Sequence, residues 1–311
     1  MKQILIFLAL FFGMLVVAQD NIRSEEVLIM NDSVKLPGTL SYNKNLKSQP
    51  LVIFVHGSGN VDRNGNQTGV NINGNYIKQL SDSLNSKEIA FYRYDKRTST
   101  EENMKFVMTD LNFDRFVDDA KLAVEKFKDD DRFSSITLIG HSQGSLVAML
   151  AAQKNVDKYV SLAGISEDMG EFIINSYKLY SEEMGNMAKE QINELKETGT
   201  IETVNPALAH LFSKPNQPFF ITWMAYNPSE EIKKLDIPIL IINGTKDIQV
   251  KVDEAKKLHK AKPDSELVII DNMNHVLKDI DIDENNMKSY YSPDYPLSKE
   301  LINTLEVFIK K

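Results

Sequence analysis

Gly140-His141-Ser142-Gln143-Gly144 is the stretch whose residue types and spacing could do chemistry. It follows directly on the apolar run Ile136 to Ile139 and opens an apolar helical run from Ser145 to Gln153. A serine on a sharp strand-to-helix turn, with a glycine two residues to either side, has its hydroxyl lifted out at the end of a sheet. That placement suits attack on a carbonyl, but a serine hydroxyl is a weak nucleophile until a base takes its proton. The chain has five histidines: His56, His141, His210, His259 and His275. Partners of a serine on such a turn follow it in chain order, acid before histidine, which sets aside His56 and His141. His210 falls in a long insertion, and His259 lies in a helical run beside lysines and reads as a surface residue. His275 comes just past the apolar run Leu267 to Ile270, in a loop from which an imidazole can reach the serine. It is the expected base.

The acid that would hold this imidazole in the right tautomer is expected to be Asp247. It stands in Asn243-Gly244-Thr245-Lys246-Asp247, immediately after the apolar run Ile237 to Ile242. Its plainer reading is an aspartate near the N-terminus of the helix that begins around Val252. Asp271 is a rival, but only four residues separate it from His275 and it would have to fold back on its own loop. A tetrahedral oxyanion needs backbone donors aimed at the developing charge. The amide of Gln143 is one candidate; the other comes from His56-Gly57-Ser58-Gly59, with Ser58 preferred and Gly57 the alternative. The same glycines do not make a phosphate cradle, because no Gly-Lys-Ser/Thr follows them.

Two other clusters carry less. Asp62, Asn64 and Asn66 alternate like the start of a calcium loop, but no glycine stands at the sixth position and no glutamate at the twelfth. They read as a surface turn. Arg93, Asp95, Lys96 and Arg97 could meet an acidic substrate; ion pairs bracing the loops are the expected role.

These side chains need a scaffold, and the periodicity supplies one. Glu26 to Met30 and Val34 to Tyr42 predict a hairpin about Asn31-Asp32-Ser33. Leu51 to Val55, Ala90 to Tyr94, Ile136 to Ile139, Tyr159 to Ala163, Ile237 to Ile242 and Leu267 to Ile270 are short apolar runs of the kind a sheet covered on both faces requires. Helical stripes fall between them. One runs from Phe113 to Phe127 with Asn112 placed to cap it; others pass through Tyr76, Ile77, Leu80 and Leu84, through Val252, Ala255 and Leu258, and through Leu301, Leu305 and Phe308. The fold class expected is α/β, a mostly parallel doubly wound sheet. Residues 167–231 break the alternation with helical, polar-rich sequence ending in Phe219, Phe220, Trp223 and Tyr226, and read as a helical cap inserted into a core of 19–166 and 232–311.

Lys2, the uncharged apolar stretch Ile4 to Val17 and the small Ala18 predict a signal peptide at 1–18 and an exported, secreted or periplasmic, soluble product with no stable membrane insertion afterwards. There is no cysteine, so disulfides and thiolate metal sites are excluded. A net charge of −8 argues against nucleic acid as a partner.

Taken together, His56-Gly57-Ser58-Gly59 with Asp62 to Asn66, Arg93-Tyr94-Asp95-Lys96-Arg97, Gly140 to Gly144, Gly244 to Val250 and Met273 to Lys278 resemble the α/β-hydrolase superfamily. The nearer resemblance is to bacterial acyl hydrolases and esterases related to serine aminopeptidase-like proteins. Thr98 stands where that family usually carries glycine. The resemblance implies an α/β-hydrolase fold and a triad on Ser142, Asp247 and His275, with no cofactor or metal. Ester hydrolysis of small or medium acyl substrates is the expected activity, with the cap aromatics walling the pocket. A peptidase using the same triad is the alternative, and would need a cap acid among Glu167, Asp168, Glu171, Glu182 and Glu183 to hold an ammonium. A non-catalytic binding protein on the same fold is the third reading.

Overall fold

The computed structural model describes residues 21–67 and 69–311. The expected signal peptide at 1–18 lies outside the described residues. β1 (Ile22–Asn31) and β2 (Val34–Asn43) form the predicted antiparallel hairpin, turning at Asp32 with φ of 52°. Then come β3 (Gln49–Val55), α1 (Tyr76–Asn85), β4 (Ala90–Tyr94), α2 (Asp114–Phe127), β5 (Phe133–His141) and α3 (Gln143–Ala151). After β6 (Lys158–Leu162) the chain is helical until β7, with α4 (Met169–Lys178), α5 (Glu182–Thr198) and α6 (Gln217–Met224) separated by short helical turns. β7 (Ile239–Gly244), α7 (Val252–Ala261), β8 (Glu266–Ile270) and α8 (Lys299–Lys310) complete it.

The eight strands lie in the order β1-β2-β4-β3-β5-β6-β7-β8. Pairing is antiparallel for β1 with β2 and β2 with β4, and parallel from β4 through to β8. Side chains alternate across each strand, so Leu51, Ile53 and Val55 of β3 face one way and Val52 and Phe54 the other. Leu51, Ile53 and Val55 pack with Phe116, Val117 and Ala120 of α2 and with Leu146 of α3. Val52 and Phe54 pack with Ile77 and Leu80 of α1 and with Leu301 and Leu305 of α8. Both faces being covered, the central strands are largely apolar, with Thr137 of β5 and Ser161 of β6 as buried polar exceptions. The fold is the expected α/β-hydrolase fold with a helical insertion.

Two local expectations shift. Helix α3 begins at Gln143 rather than Ser145, because the backbone reverses within Ser142 alone, at φ 54° and ψ −122°. Helix α2 begins at Asp114, and Asn112 still serves its first turn by accepting from the Arg115 amide at 3.2 Å. The insertion shares the core rather than standing apart. Ile173, Ile192, Phe220 and Trp223 belong to the same apolar cluster as α2 and α3, the Phe113 amide donates to Thr222 Oγ1 at 2.8 Å, and the Tyr226 hydroxyl donates to Asp114 Oδ1 at 2.6 Å.

Candidate active site

β5 delivers Ser142 at the carboxyl edge of the sheet, and close packing holds the turn. The Ser142 amide donates to the Leu162 carbonyl of β6 at 2.8 Å. A Cβ at Gly144 would stand 2.3 Å from the Val55 carbonyl oxygen and 2.4 Å from that of His56. Only a residue without a side chain lets α3 start against the end of β3. A second close approach joins the later partners, since a Cβ at Gly244 would meet the Met273 carbonyl oxygen at 2.0 Å. The end of β7, which carries Asp247, is thereby pressed onto the loop that carries His275.

There the two meet as expected. His275 Nδ1 lies 2.8 Å from Asp247 Oδ2, and the pair is almost fully buried, with side-chain exposures of 6% and 0%. Asp247 Oδ1 accepts from the amides of Gln249 and Val250 at 2.8 and 2.9 Å. The carboxylate is thus fixed, Nδ1 donates to it, and Nε2 is left as the basic nitrogen. The rival Asp271 is exposed on the loop. Ser142 Oγ and His275 are not hydrogen-bonded to each other among the described residues; the rings of His275 and His141, the residue before the serine, are 4.8 Å apart.

His141, set aside on chain order, does have a role here. Its Nε2 pairs with the His275 carbonyl at 2.8 Å and its Nδ1 with the Tyr76 hydroxyl at 3.3 Å. Donation from Nε2 to the carbonyl leaves Nδ1 to accept from the tyrosine, an arrangement for a neutral ring. Burial pushes His141 down to about 3, and burial likewise pushes His56 down to about 4. His141 is a strut that carries the backbone of His275.

Above Ser142 lies a cavity of about 650 Å³, within the range typical of small-molecule sites. Ser58, Lys96, Ser142 and Gln143 form its polar floor, and Phe172, Leu211, Phe219, Phe220 and Trp223 of the insertion supply much of its apolar wall. Exposed His210 also lines it. Gln143 is the first residue of α3, where backbone N–H groups have no intrahelical acceptor. Gly57 lies against the serine, its Cβ position 3.2 Å from Ser142 Cβ.

Some expectations are corrected. Tyr226 does not line the cavity among the described residues; its hydroxyl is spent on Asp114, tying the insertion to α2. Ion pairs hold Asp95 to Arg63 at 2.8 Å and Arg97 to Asp119 at 2.7 Å, as expected of that cluster. Arg93 instead donates to Asn64 Oδ1 and the Arg63 carbonyl. Lys96 forms no ion pair among the described residues and turns inward to Gly57 and Gln143. Burial does not separate these outcomes, since the Arg97–Asp119 pair is itself nearly fully buried; Lys96 differs in that both of its hydrogen-bond partners are neutral oxygens. The Asp62 turn closes on itself, Asp62 Oδ1 accepting from the amides of Asn64 and Asn66 at 2.8 and 2.9 Å.

The chain is similar in structure to Est1E from Butyrivibrio proteoclasticus, with a TM-score of 0.57, 19% identity, and coverage of 92% of this chain and 99% of that one. An esterase from Pyrococcus furiosus gives a TM-score of 0.57 at 18% identity, over 94% of this chain and 93% of that one. Dienelactone hydrolase from Anabaena variabilis gives 0.55 at 13% identity, over 93% and 98%. At such identities the likeness establishes the fold. No curated protein matches the chain in sequence. Sheet and strand-to-helix turn define an α/β-hydrolase fold. Residues 40–261 match the BD-FAE family model, and the chain belongs to the BD-FAE family.

Proposed function

We propose that the chain is an exported serine hydrolase that cleaves carboxylic esters with small or medium acyl groups, using Ser142 as nucleophile, His275 as base and Asp247 as its orienting acid. The observation that carries this reading is the buried His275–Asp247 hydrogen bond of 2.8 Å at the same sheet edge as the φ 54° turn of Ser142. His275 Nε2 takes the hydroxyl proton as Ser142 Oγ attacks the ester carbonyl; the hydrogen bond between them forms as substrate binds. The amides of Gln143 and Ser58 receive the oxyanion. Collapse of the tetrahedral species expels the alcohol, which takes the proton from His275, and a water activated by the same imidazole then releases the acid.

The lining of the cavity supports an ester over a peptide. Among the described residues that form it none is Asp or Glu. The acids that would have to hold a substrate ammonium are otherwise engaged or exposed: Glu167 accepts from Asn175, Asp168 caps α4, and Glu171, Glu182 and Glu183 lie at the surface. The neighbour Est1E has been solved with ferulic acid bound, which fits an apolar acyl pocket of this kind.

Nitrophenyl esters of increasing acyl length, assayed beside aminoacyl-anilides, test the reading. Ester turnover is expected with labelling by a fluorophosphonate probe, both lost in Ser142→Ala. Anilide turnover without ester turnover would sink it. Export rests on residues 1–18, and N-terminal sequencing of the secreted protein should begin at Gln19 or Asp20.

A further inference from the structure

Lys96 stands just past β4 and is only 5% exposed. Its Nζ donates to the Gly57 carbonyl at 2.6 Å and to Gln143 Oε1 at 2.7 Å, and lies 5.0 Å from the centre of the Phe116 ring. Its side chain lines the cavity together with Ser58, Ser142 and Gln143. The charged groups nearby are committed elsewhere. On its own segment Asp95 pairs with Arg63, and on α2 Asp119 pairs with Arg97. His56, at the end of β3, is a neutral ring bonded to the Tyr94 carbonyl, and Tyr94 is held un-ionised by burial. From α3, Gln143 and Val147 complete the surroundings. A buried ammonium without its own carboxylate is costly, and a packing role alone would be filled by an apolar side chain.

What the ammonium holds is specific. The Gly57 carbonyl and the Ser58 N–H belong to one trans peptide, so they point in opposite directions in a common plane. Drawing the carbonyl onto Lys96 turns the N–H away from it and polarises that N–H. The other bond fixes the side chain of Gln143, whose backbone N–H is the second proposed donor.

We infer that Lys96 is a positioning residue of the oxyanion hole, its ammonium tying the Gly57–Ser58 peptide to Gln143 so that the two amides converge above Ser142. This rests on the proposed hydrolase reading. It also implies a pH dependence, since burial pushes Lys96 down to about 7. Protonation makes both bonds charge-assisted, whereas the neutral amine, with two N–H donors left, makes them more weakly, so the contribution is full below that value and falls as pH rises through it.

The experiment uses the full mature chain with a nitrophenyl ester. Wild-type kcat/KM should decline on the alkaline side. Lys96→Arg, whose guanidinium stays protonated, should carry that decline to higher pH by about 2 units or more. Lys96→Met should lose kcat by roughly 10²-fold with KM changed by less than about 3-fold, and should show no alkaline decline. A wild-type profile flat across pH 7 to 10, or Lys96→Met with unaltered kcat, overturns the inference. If Lys96→Met does not fold, the wild-type and Lys96→Arg profiles decide alone: a shifted limb supports the inference and coincident limbs overturn it. Fluorophosphonate labelling of the wild type, lost in Ser142→Ala, reports on the hydrolase reading separately. Labelling with an inert Lys96 sinks only the inference, whereas no labelling and no turnover sinks both.

Discussion

Ser142 holds φ 54° and ψ −122°, a conformation that costs a residue with a Cβ on the order of 1–3 kcal/mol. The turn is paid for by the packing about it, including the bond from its amide to Leu162. That strain has a measurable signature. In an unstrained position glycine is less stable than alanine, because it loses more freedom on folding. Here the order should reverse, with Ser142→Gly more stable to urea than Ser142→Ala by roughly 1 kcal/mol and both variants inactive. An alanine variant as stable as the glycine variant would show that the turn stores nothing. The same scale explains which histidine could be read from sequence. Chain order points to His275 but gives no sign of the work of His141, because a bond to the His275 carbonyl links residues 134 apart and no local pattern encodes it.

At the scale of elements, the insertion is fastened at the N-terminus of α2. Phe113 stacks on Trp223 with ring centres 5.4 Å apart and planes 8° from parallel, and Thr222 Oγ1 accepts the Phe113 amide. Trp223 therefore both braces α6 and walls the cavity. Replacing it with alanine should widen the acyl site and shift preference toward longer acyl chains, with kcat/KM for the shortest ester falling by roughly 10-fold as its fit is lost. An acyl-length series with the same optimum in Trp223→Ala would remove the insertion from substrate selection. The aromatic run 219–226 already suggested a wall, yet Tyr226 belongs to the anchor instead. Helical phase and the position of Asp114 make that division, and composition carries neither.

Over the whole molecule, α2, α3 and the insertion share one apolar cluster while α1 and α8 cover the opposite face of the sheet. A cap that buries its side chains in the common core should not melt by itself. Trp223 is the only tryptophan, so its fluorescence reports the insertion while far-ultraviolet circular dichroism reports all the helices. The two urea transitions should coincide within error; an earlier fluorescence midpoint would show an insertion that opens before the core unfolds. No helix among the described residues is long and apolar enough to cross a membrane.

The strands, their approximate bounds and the pairing of His275 with Asp247 were legible in the chain itself. Apolar runs and turn residues are local signals, set by what a doubly covered sheet and a tight strand-to-helix turn demand of neighbouring residues. The role of Lys96 was not legible, and the loop-bracing ion pair expected of it is absent among the described residues. Its partners lie 39 and 47 residues away, and whether an ammonium meets a carboxylate or a carbonyl depends on where separate loops converge. That convergence is fixed by three-dimensional packing at the sheet's carboxyl edge, through contacts such as Gly144 against β3 and Gly244 against the His275 loop. Sequence periodicity records which residues are buried; only the tertiary structure decides which buried groups face one another.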